Sequence, residues 1–138
     1  MLKKKFVDLN LSLFKFVLLM KKETLNITKT RIKGQFSGVA FAEGNSHIVY
    51  IPSLQLSSYG DSIKEAREMM EIVLVKFSKD VLALSEDKVE NVLSKLGWKR
   101  TQYFKKRMVN LSETTFDDIK KQFNLPDETE VEEMSIAV

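Results

Sequence analysis

Between residues 48 and 66 the chain reads IVYIPSLQLSSYGDSIKEA, which joins a continuous apolar run to a stretch whose apolar residues recur every third and fourth position. Proline has no N–H to donate and fixes its own φ, so Pro52 ends an apolar strand. Gly60 supplies a backbone conformation that other residues resist, and Asp61 accepts hydrogen bonds just ahead of a helix. Ser62 followed by Glu65 forms a capping box: the hydroxyl accepts from the N–H near Glu65, and the carboxylate returns to the N–H of Ser62. Such a cap is worth about 1 kcal/mol and fixes where the helix begins. Strands therefore precede this junction and a helix follows it, which makes the chain α+β.

Upstream, Leu25 and Ile27 alternate with Thr24, Asn26 and Thr28, which predicts a half-buried strand from Thr24 to Ile32. Lys33 and Gly34 read as a turn. From Gln35 to Glu43 the alternation resumes, with Phe36, Gly38, Ala40 and Ala42 on one face and Ser37, Val39 and Phe41 on the other. EGNS at 43 to 46 is a hairpin turn and HIVYI a third strand, so the first half is a three-stranded antiparallel meander. Downstream, Ile63, Ala66, Met70, Val73, Leu74, Phe77, Val81 and Leu84 form one stripe of a long helix. A shorter helix runs from Glu86 to about Leu96 on Val89, Val92, Leu93 and Leu96, with Gly97 as its stop. WKRTQYFKKRMV, 98 to 109, predicts a fourth strand. A short helix over 115 to 123 with Phe116, Ile119 and Phe123 on one face ends before Pro126, and TEVEEMSIAV is a final strand.

With 138 residues the chain holds one ordinary domain. Its net charge of +3 comes from residues 1 to 19, which carry four lysines against Asp8 and leave 18 basic and 18 acidic side chains in the rest. The leader 1–22 has an apolar stretch interrupted by Lys15, too short for a transmembrane span and without a small-residue cleavage site. It reads first as an extension ahead of a start at Met20, second as an apolar strand or helix packed on the domain, and last as a membrane contact. The absence of cysteine removes disulfides, thiolate zinc sites and thiol nucleophiles and suits the cytoplasm. Residues 23–111 form the α+β domain, and 112–138 an acidic extension packed on it. That extension, with eight acids and two bases, offers an electrostatic partner to the five basic residues between Lys99 and Arg107.

No Walker loop, GxGxxG, GxSxG or HExxH occurs. His47 is the single histidine and sits beside a hairpin turn, where it reads as a cross-strand residue. A two-metal nuclease needs carboxylates on its central strands, and TLNITKTR has none. No catalytic residue, metal site or cofactor is expected, and the chain reads as an interaction protein rather than an enzyme. The basic-aromatic run WKRTQYFKKR gives an alternative, with Lys99, Arg100, Lys105, Lys106 and Arg107 following phosphates while aromatic rings stack on bases; the simpler reading packs Trp98 and Phe104 on the core and leaves the lysines solvated on the outer face.

VYIPSLQLSSYGDSIKEAREMMEIVL, preceded by FSGVAFAEGNSHIVYIP, resembles the central pattern of the HicB-like antitoxin family over about residues 24 to 84. Tyr50, Pro52, Gly60, Asp61, Ser62, Glu65 and Ala66 carry the likeness. The family has an acid after the proline, where this chain has Ser53, and a glycine in the following loop, where it has LQLSSY. The resemblance implies a truncated RNase-H-like α+β fold without nuclease carboxylates, and a HicA-like toxin that cleaves messenger RNA as partner. Loops held by a rigid scaffold commonly carry binding, so partner binding is expected on Tyr50, Pro52, Ser53, Tyr59, Gly60 and Asp61, together with the start of the helix at Ser62 and an exposed sheet edge. Edge-strand pairing predicts a homodimer. Family members often carry a C-terminal DNA-binding motif, but FDDIKKQFNLP is too short and too acidic in context for a recognition helix, which argues against operator binding. A structural protein without a partner is the remaining reading.

Overall fold

The computed structural model describes residues 23–101, 107–110 and 112–138. Among these, seven strands form one antiparallel sheet accompanied by three helices: β1 (Thr24–Ile27), β2 (Ile32–Glu43), β3 (Ser46–Ile51), β4 (Leu56–Gly60), α1 (Ile63–Leu82), α2 (Glu86–Lys95), β5 (Trp98–Arg100), β6 (Arg107–Asn110), α3 (Phe116–Gln122) and β7 (Glu132–Ala137). The leader lies outside the described residues, as do Phe104, Lys105 and Lys106. No helix among the described residues is long and apolar enough to cross a membrane.

The long strand β2 organises the sheet. Gln35 pairs at once with Thr24 of β1 and Ala137 of β7, while Val39 pairs with Tyr50 of β3 and Glu133 of β7. A strand has only two edges, so β1 and β3 lie end to end along one of them and β7 along the other. β4 continues outward from β3, and β6 and β5 continue from β1.

Alternation along these strands divides the interior into two layers. Phe36, Ala40, Val49 and Ile51 face Ala66, Met70 and Leu74 of α1 and Val89 and Leu93 of α2. Val39, Phe41, Ile48 and Tyr50 face the opposite way, against Ile119 of α3 and the partly buried Phe123, Leu125 and Val131. The sheet is thus covered on both faces, which explains why β3 is apolar at nearly every position.

Three expectations are corrected. The turn after β1 occupies residues 28–31 rather than Lys33-Gly34, because the Thr28 hydroxyl accepts from the Arg31 N–H and donates to its carbonyl, both at 3.1 Å. The meander has a fourth strand, since LSSYG pairs with β3 from His47↔Gly60 to Ile51↔Leu56. Small side chains on that strand let α1 lie close to it, and the Ser58 hydroxyl donates to the Ala66 carbonyl at 2.6 Å. The predicted fourth strand over 98 to 109 is two strands, β5 and β6, paired antiparallel from Trp98↔Asn110 to Arg100↔Met108.

The helix start agrees with the sequence in its hydroxyl half: Ser62 Oγ accepts from the Glu65 N–H at 3.1 Å. The Glu65 carboxylate, however, takes the Asp61 N–H at 3.3 Å rather than that of Ser62. Gly97 leaves α2 at φ 95°, a conformation that favours glycine. In α2, Val92 is exposed and does not share the burial of Val89 and Leu93.

Candidate functional site

The junction between β3 and α1 is held by bonds from distant parts of the chain. Leu54 N–H donates to the Ile51 carbonyl at 3.3 Å and Gln55 N–H to the Pro52 carbonyl at 3.2 Å, closing a tight turn. Gln55 sits at φ 52°, in the left-handed region, within the loop where the resemblance implies a glycine. Trp98, fully buried on β5, donates its Nε1 hydrogen to the Ser53 carbonyl at 2.9 Å and meets Phe36 edge-on with ring centroids 5.9 Å apart. The turn is therefore pinned to the core from beneath.

Beside it stands Glu23. Its carboxylate accepts from the Ser37 N–H at 2.7 Å, in the gap between β1 and β3 where that stretch of β2 has no neighbouring strand on that edge. Burial raises the pKa of Glu23 above the ordinary glutamate value, partly offset by Ser53 and by the Ser37 bond. The Ser53 hydroxyl favours the charged carboxylate although it makes no hydrogen bond of ordinary geometry. An acid is thus next to Ser53, brought from the start of β1 rather than from the residue after the proline.

The residues expected to bind a partner are not all on one surface. Tyr50 is buried, edge-on to Phe123 with centroids 5.0 Å apart, and its hydroxyl accepts from Gln122 Nε2 at 3.1 Å. Ser53 is buried, and Pro52 and Gly60 are half-buried. Tyr59 is 56% exposed and Asp61 is exposed. Gly60 is required by close approach rather than by its φ: a Cβ there would stand 2.5 Å from the Ala66 nitrogen and 2.9 Å from the Glu65 carbonyl carbon. Among the described residues β4 pairs only with β3, so its other edge is open and Tyr59 projects beside it.

Of the basic set, Lys99, Arg100 and Arg107 are exposed on β5 and β6. Arg100 is bonded through Nε to Glu90 of α2. Trp98 has no face free to stack on a base. The acidic segment is attached to the domain through the backbone, where β7 joins β2 and buries Ile136. His47 pairs with Ala42 and Gly60 across the sheet, with its Nδ1 buried and unbonded. Among the described residues no three His, Asp or Glu side chains come together as metal ligands.

Two features of this site escape sequence reading. The lock supplied by Trp98 had a signal in its being the chain's one tryptophan, a large apolar body with a single donor that needs an acceptor when buried. Glu23 had a weaker one, as the last acid before Glu43 on strands otherwise without carboxylates. Comparison with family models, curated proteins and solved structures finds no significant match for this chain.

Proposed function

We propose that the protein is a non-catalytic interaction module of the HicB-like antitoxin kind, which binds and neutralises a small HicA-like toxin that cleaves messenger RNA. The observation that carries the reading is the junction itself. Pro52, Gly60, Ser62 and Glu65, which the resemblance rests on, each have a local role that shapes one strand-turn-strand-helix unit. That unit leaves the β4 edge open and Tyr59 exposed beside it. An open edge offers main-chain hydrogen bonds to an extended segment, and a neighbouring aromatic ring supplies a contact that selects among segments. The buried Tyr50 and Ser53 then shape the surface from beneath, while Tyr59 and Asp61 touch the partner.

The test is co-expression with the product of a neighbouring small basic open reading frame carrying a Gly-Ser-His-like motif. Relief of growth arrest and recovery of intact messenger RNA are expected, together with co-purification of the two chains. Tyr59→Arg should abolish the relief while leaving the fold intact by circular dichroism. Toxicity that persists with the wild-type chain sinks the proposal. The alternative, a nucleic-acid-binding module using Lys99, Arg100, Lys105, Lys106 and Arg107, requires salt-dependent binding to RNA or DNA that falls when those five become alanine. No binding at low salt removes it.

A further inference from the structure

The outer face of α1 carries an apolar seam that nothing among the described residues covers. Met69, Ile72 and Val75 are 41%, 61% and 53% exposed, and Ile72 lies nearly opposite the buried Met70 and Leu74. On a helix of 3.6 residues per turn these three lie within about 60° of one line through Ile72. Isolated exposed apolar residues are common, but three in succession along a helix form a stripe that calls for a partner.

The charges around the seam say which one. The N-terminal half of this face presents Glu65 and Glu68, and the C-terminal half presents Lys76 and Lys79, all exposed. Let a second α1 lie antiparallel on the first, with a two-fold axis passing beside Ile72. Ile72 then meets its own copy; the two-fold keeps each residue on its own side of the contact, so Met69 packs beside the aliphatic stem of Lys76 and Val75 beside that of Glu68. In the same register Glu68 faces Lys76 and Glu65 faces Lys79. The glutamates of one half of the face thus come within reach of the lysines of the other half, and by symmetry each charged pair occurs twice. A parallel arrangement would instead set each glutamate against its own copy. We infer that a second copy of this chain docks here, α1 against α1, antiparallel about Ile72.

Helices packed this way lie about 8–10 Å apart at a shallow crossing angle, which α1 permits because its core face and its outer face are on opposite sides. A single helix pair is smaller than a standard stable interface of roughly 1,600 Å², so the dimer forms at micromolar or higher concentration. The β4 edge is not used, and the inference stands independently of the proposed toxin.

Sedimentation velocity on the full chain across micromolar to sub-millimolar concentrations tests it. A reversible monomer–dimer equilibrium is expected. Ile72→Asp should leave only monomer. Glu68→Lys places like charges at two contacts and should weaken association by about tenfold or more, whereas Glu68→Lys combined with Lys76→Glu restores opposite charges and should recover it. All these positions are on the surface, so circular dichroism and the buried Trp98 fluorescence should show the wild-type fold. A chain that stays monomeric throughout overturns the inference. So does a dimer indifferent to Ile72→Asp, or a double charge exchange no tighter than the single one.

Discussion

Glu23 illustrates how one side chain answers for an irregularity in the sheet. The Ser37 N–H opens into the gap between β1 and β3 and would lack an acceptor without the Glu23 carboxylate at 2.7 Å. Burial raises its pKa, so the folded chain holds the Glu23 proton more tightly than the unfolded chain does. The resulting stabilisation is complete below the ordinary glutamate value and is lost as pH rises through the higher folded value. Glu23→Gln keeps an oxygen for Ser37 and removes the ionisation. Thermal melts between mildly acidic and neutral pH should therefore show a flatter profile for this variant, with stability near neutrality equal to or above wild type; an unchanged profile would refute this cause. Gly60 is a second single-residue constraint. Its replacement by Ala drives a methyl into the first turn of α1 and should cost about 1–3 kcal/mol in denaturant unfolding. Gln55→Gly, by contrast, relieves a left-handed backbone and should stabilise by about 1 kcal/mol.

At the scale of elements, what was legible in the sequence was whatever a local rule decides. Ser62 marks the start of α1 because a hydroxyl at that place satisfies an otherwise orphaned N–H, and Ser62→Ala should lower stability by about 1 kcal/mol with α1 otherwise unchanged. The alternation of Phe36, Ala40, Val39 and Phe41 identified both faces of β2 correctly. The helices over 86–95 and 116–122 were legible from their apolar spacing, although Val92 and Phe116, assigned to their apolar faces, are exposed. What failed depended on neighbours distant in sequence. LSSYG has too few β-branched residues to announce a strand, and it is one because β3 offers a backbone ladder and α1 fits over Ser58 and Gly60. The basic run from Trp98 onward reads as one strand because propensity is uniform along it, yet β5 and β6 pair with each other. The same limit applied to the site, since the turn at 52–55 is recognisable from its proline while the Trp98 and Glu23 contacts beneath it come from 45 residues ahead and from just before the first strand.

For the whole molecule, the resemblance covers the segment through α1, but the architecture does not close there. The edge of β2 from Gln35 to Ala40 is completed by β7, the last strand in the chain. The face bearing Val39, Phe41, Ile48 and Tyr50 is covered by α3 and the residues that follow it. Phe123 alone touches both Phe41 and Tyr50 edge-on, with centroids 5.0 Å away in each case. A chain ending at Asn110 would therefore expose an apolar sheet face and a long unpaired edge together, a combination that favours edge-to-edge aggregation. Such a truncation should lose cooperative melting and dispersed amide resonances, and should precipitate at concentrations where the full chain stays in solution. Phe123→Ala is the milder form of the same experiment: it keeps β7, removes one buried ring, and should cost about 3 kcal/mol or more if α3 is part of the same cooperative unit. A truncated chain that melts as sharply and as late as the intact one would show that the second layer is an addition to the domain and not half of its core.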